Sequence, residues 1–190
     1  MRWLTLYARS RQVPASAAAV ALVAVAVWAL NQGGPGPVDL GVAIMVLTAN
    51  VAAASVGLGG PDVVLERTAA IRWVPRRAAH VLLIGVFAGA ALLAVQAAGA
   101  KLAPTEVVLR DSAGLVGLAA LGAALCGAQL AWTLPTGWIA LALLIPAPRG
   151  KLGEVIHWII FPAGTTASTA TALALLATGT VVYALAGPRR

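Results

Sequence analysis

Six charged side chains crowd into one short stretch: Asp62, Glu66, Arg67, Arg72, Arg76 and Arg77. No acid, base and nucleophile are clustered there, so the chemistry on offer is recognition through charge-assisted hydrogen bonds rather than bond making. Pro61 suits the first position of a helix, and Asp62 follows where the helix dipole favours an anion. Val64, Thr68 and Ile71 then share one helical face, with Leu65 and Ala69 beside them. Glu66, Arg67 and Arg72 are left for water or a partner. Pro75 is expected to interrupt the segment, leaving room for about three turns. Such a helix, gripped at both ends by membrane spans, is a handle. The plainer alternative is a loop with one turn of interfacial helix.

Other reactive types are sparse. His80 and His157 are far apart in sequence, and His157 reads as a loop residue, so no metal site is expected. Neither a phosphate-binding Gly-x-x-x-x-Gly-Lys-[Ser/Thr] loop nor a His-Glu-x-x-His pair occurs. No catalytic residue is therefore assigned. Cys126, the single cysteine, excludes an internal disulfide and reads as a lipid- or core-facing thiol. Polar residues expected at depth are Thr48, Asn50 and Ser55 in the second span, Gln96 in the third and Gln129 in the fourth. Asn50 is the most expensive to bury in lipid and must face protein or a water-filled path; an interhelical hydrogen bond is its plainer use.

The elements that must position these groups are membrane helices. The chain has 190 residues, 61% hydrophobic and 10% charged, against about 25% charged in a soluble domain. The net charge of +7 does not point to nucleic acid, because the bases lie at ends and loops where lipid headgroups and topology explain them. Apolar runs predict an all-α fold of six spans in a single transmembrane domain, over 14–30, 38–57, 78–100, 112–132, 135–147 and 166–186. Residues 101–111 read as a mixed-charge loop, and Thr133 to Gly137 as the break in the long uncharged run. Leu152 to Phe161 is too short to span and suits an interfacial or re-entrant helix. Before the first span, Trp3, Leu6 and Tyr7 can anchor a short interfacial helix. Gly85 and Gly89 permit close helix contact in the third span. Nine basic residues fall at the two termini and the handle, against four on the other side. This predicts a multi-pass protein of the bacterial cytoplasmic membrane with both termini inside.

This arrangement resembles the transmembrane subunit of an ABC transporter of the ABC-2, or type V exporter, class. The resemblance covers the whole chain as an arrangement and is anchored in sequence by Glu66-Arg67. The family's coupling helix often carries Glu-Arg followed shortly by Gly-Thr, where this chain has Thr68-Ala69-Ala70. The resemblance implies a permease that pairs with a second, identical or related, membrane subunit. It implies a separate cytoplasmic ATPase, binding ATP and magnesium, docked on Asp62, Glu66, Arg67 and Arg72. It also implies a path along spans two and five, past Asn50, Ser55 and Thr136; lined mainly by Ala, Val, Leu and Gly, such a path suits an apolar or lipid-like cargo better than an ion. A non-transporting scaffold, immunity or regulatory subunit fits the small size and missing chemistry as well.

Overall fold

The computed structural model describes residues 13–30, 40–59, 73–100 and 102–189. Trp3, Leu6, Tyr7, Asp62, Glu66, Arg67 and Arg72 therefore lie outside the described residues. Among those described there are helices and no strands. We number the helices α1 (Val13–Leu30), α2 (Leu40–Ser55), α3 (Trp73–Ala97), α4 (Thr105–Leu125), α5 (Thr133–Leu144), α6 (Lys151–Ile156) and α7 (Thr166–Ala186). Four are long and apolar enough to cross a membrane: α2 with its 3₁₀ extension to Leu58, α3, α4 and α7. Two shorter apolar stretches, Pro14–Ala29 and Ala128–Leu144, accompany them. The described residues thus form an all-helical bundle consistent with a membrane protein.

Two prolines read as breaks are starts instead. Pro75 and Pro135 each sit at the third position of their helices. The N–H groups of a first turn have no intrahelical acceptor, so a proline there sacrifices nothing. The break in the long uncharged run falls earlier, after Leu125. Cys126 caps α4 and is exposed, and Gly127 takes a φ of 103°, a conformation costly for any residue with a Cβ. Gln129 consequently lies exposed in the 3₁₀ turn Ala128–Leu130 rather than at depth in a span.

The start of α4 is the other correction. Residues 105–111, expected as a loop, form its first turns, with Glu106 placed to complement the helix dipole. This helix is the axis of the bundle and packs on α2, α3, α5 and α7, most extensively on α7. Close approach requires missing side chains. A Cβ on Gly117 would strike the backbone of Leu175, and one on Gly179 would strike the backbone of Gly117. On the α3 side, a Cβ on Gly85 would lie 2.9 Å from Val116 Cγ1, and one on Gly89 would lie 3.2 Å from Ser112 Oγ. The glycine pair of the third span thus faces α4.

Candidate functional site

Polar chemistry collects at the end of the bundle where α4 begins. Arg110 and Asp111 are 7% and 1% exposed, and Arg110 Nε donates to Asp111 Oδ1 at 2.8 Å. The guanidinium has further work. Its Nη1 donates to the carbonyl of Pro162 at 3.2 Å and its Nη2 to that of Ile159 at 3.4 Å. Both carbonyls belong to the segment that follows α6 and is inserted among α4, α5 and α7.

That segment has irregular backbone, which inside a bundle must find hydrogen-bond partners or lose several kcal/mol for each buried group. The surrounding helices supply them. The last-turn carbonyls of α6 are met in the same way: Ser168 Oγ of α7 donates to Glu154 O at 3.1 Å, and Trp138 Nε1 of α5 donates to Ile156 O at 2.9 Å. His157 Nε2 lies 2.8 Å from Ile145 O; since a carbonyl only accepts, this nitrogen carries the proton. Trp158, fully buried, fills space that Gly114 leaves: a Cβ there would meet the indole ring. His157 Nδ1 and Trp158 Nε1 stay buried without a hydrogen-bond partner. His157 is therefore a core residue that joins the end of α5 to this plug, not a loop residue.

The opposite end is tied differently. Tyr183 Oη of α7 donates to Leu58 O at 2.5 Å, where α2 ends. A Cβ on Gly187 would lie 2.8 Å from Arg77 Nη1, near the start of α3. Arg189 donates its backbone N–H to Ala123 O at 3.0 Å and its Nη1 to Leu125 O at 3.2 Å, covering open carbonyls at the end of α4. The helices that flank residues 60–72 are thus both held against α7. No family model, characterised protein or solved structure matches this chain.

The residues expected to line a path are divided. Asn50 and Ser55 are each 1% exposed within α2, while Thr136 is on the exposed side of α5 and bonds back to Trp132 O. Asn50 Oδ1 has no hydrogen-bond partner, so the interhelical bond considered for it does not form through this atom. Thr48 and Ser55 turn their hydroxyls onto their own helix, at Ile44 O and Ala52 O. Gln96 serves a turn: its Oε1 accepts from the N–H groups of Leu102 and Ala103 at 3.2 and 2.8 Å. Sequence reasoning missed Arg110, Asp111, Trp138 and Ser168 as anchors of the plug. One signal was available: adjacent opposite charges before an uncharged run are compatible with a helix once they neutralise each other. Among the described residues, no group of three or more His, Cys, Asp or Glu is placed to hold a metal ion.

Proposed function

We propose that this chain is the membrane-spanning half of an ATP-driven exporter of the ABC-2 class, working with a second membrane subunit and a separate cytoplasmic ATPase. In this reading α1 and α5 also cross the bilayer, giving six spans in the bacterial cell membrane. Both termini and residues 60–72 face the cytoplasm, in keeping with the basic-residue asymmetry. Trp3, Leu6 and Tyr7 anchor an interfacial helix, and Asp62, Glu66, Arg67 and Arg72 dock the ATPase, which brings ATP and magnesium. The cargo is apolar or lipid-like, moving along surfaces that two subunits build together; Asn50, Ser55 and Thr136 are its candidate contacts.

The observation that carries this reading is that both flanks of residues 60–72 lie against α7: Tyr183 bonds to Leu58 O on one side, and α3 packs on α7 with Arg77 beside Gly187 on the other. A push on that segment reaches α7 directly. From α7 it passes to α4 through the contact of Gly179 with Gly117, and from α4 to the plug through Arg110. A rigid line between an ATP-driven handle and a seal at the far end is what an exporter needs. The scaffold reading requires no such line.

The test is purification from native membranes with partners identified by mass spectrometry. An ATPase should accompany the wild-type chain. Glu66→Ala with Arg67→Ala should weaken that association about tenfold or more while leaving the bundle folded. Recovery of a folded double variant with its ATPase bound as before and full turnover would remove the coupling role. A partner set lacking any ATPase would favour the scaffold.

A further inference from the structure

A cleft of about 400 Å³ opens beside the plug, between the first turns of α4 and α7. Its apolar wall is formed by Leu109, Ala113 and Leu173, and its polar rim by Glu106, Arg110 and Thr169. Leu109 and Leu173 are 57% and 55% exposed, so this wall runs on into the outer apolar surface of the bundle. A molecule reaching it along that surface arrives from the bilayer.

The rim has a definite polarity. Arg110 Nε, Nη1 and Nη2 each already donate to a protein acceptor, and Asp111 balances the charge. Glu106 is exposed and makes no ion pair among the described residues. With Arg110 paired to Asp111, Glu106 is the one carboxylate lining the cleft among the described residues that has no ion-pair partner. Thr169 donates its hydroxyl to Thr165 O, which leaves its oxygen free to accept. The remaining side-chain capacity of the rim is thus for accepting hydrogen bonds, at the Glu106 carboxylate and the Thr169 hydroxyl oxygen. Among the described residues no aromatic lines the cleft, and quaternary ammonium groups are ordinarily recognised by aromatic faces.

We propose that this cleft binds an aminophospholipid of the phosphatidylethanolamine type. The primary ammonium donates to Glu106 and Thr169, and an acyl chain lies along Leu109, Ala113 and Leu173. The proposal is independent of whether the chain works with an ATPase, and its test reads lipid binding alone.

The experiment is native mass spectrometry of the full-length protein in detergent, titrated with phosphatidylethanolamine, phosphatidylcholine or phosphatidylglycerol of identical chains. The wild type should retain phosphatidylethanolamine about tenfold more tightly than the other two, the scale of one charge-assisted contact. Glu106→Gln should abolish that preference, Thr169→Val should reduce it, and Leu173→Trp, which fills the mouth, should lower retention of the lipid itself. Glu106, Thr169 and Leu173 are exposed, so these variants leave the core untouched. Free phosphoethanolamine should not compete, because it lacks the chain. Equal retention of the three lipids by the wild type, an unchanged preference in Glu106→Gln, or full competition by the free headgroup would each overturn the proposal.

Discussion

Arg110→Met deletes the guanidinium that neutralises Asp111, a carboxylate only 1% exposed, and that holds the carbonyls of Ile159 and Pro162. Removing one member of a buried ion pair costs about 3–5 kcal/mol, because the remaining charge must be protonated or left unpaired. That corresponds to a fall of roughly 150- to 4,000-fold in the ratio of folded to unfolded protein. The assay is reversible unfolding from mild detergent into SDS, followed by tryptophan fluorescence. Arg110→Met with Asp111→Leu removes both charges and leaves Ile159 O without its donor, while Pro162 O keeps the hydroxyl of Thr165, a loss of about 1–3 kcal/mol. The double variant should therefore be more stable than the single one. Refutation would come from a single variant that unfolds within about 1 kcal/mol of wild type, or from a double variant whose loss is as large as that of the single.

Helix contacts give the next tests. Gly117→Leu should prevent folding, since its side chain would enter the backbone of α7, whereas Gly89→Ala should cost about 1–3 kcal/mol; equal yields of both would contradict the α4–α7 contact. Tyr183→Phe should destabilise by about 1–2 kcal/mol, because Leu58 O loses its donor inside the bundle; unchanged SDS unfolding would exclude that bond. With Cys126 replaced, cysteines at Gly34 and Gly150 should react with an impermeant thiol reagent added outside intact cells, and one at Thr68 should not. Labelling of Thr68 from outside would reverse the topology.

Much of the bundle was legible because apolar runs of membrane length have few other uses. The expected span 166–186 coincides with α7, and the expected first span begins within one residue of α1. The failures share one cause: composition was read without position. Pro75 and Pro135 signal a break only beyond the first turn, and both lie inside it. Arg110 and Asp111 read as loop because each is costly in an apolar setting, but adjacent in sequence they pair and enter the helix together. Gly85 and Gly89 announced a close contact through their spacing. Gly117 and Gly179 did so less visibly, because each needs a partner from a distant helix before its role is apparent. The roles of Ser168 and Trp138 depend on carbonyls that the last turn of the short α6 leaves open, and no pattern local to α5 or α7 encodes those.

The reach of Arg110 also sets an order of events during synthesis. Its carbonyl acceptors at Ile159 and Pro162 lie 49 and 52 residues further along the chain. A ribosome adding about 5–20 residues per second needs several seconds to make that stretch. Throughout that interval α4 has its ion pair but not the backbone it will hold. The Arg110–Asp111 pair is local and can form as soon as α4 does, so these two buried charges enter the membrane already neutralising each other. The plug then closes over a charge already compensated. A chain in which the neutralising carboxylate came from α7 would present a bare cation to the lipid during the same seconds.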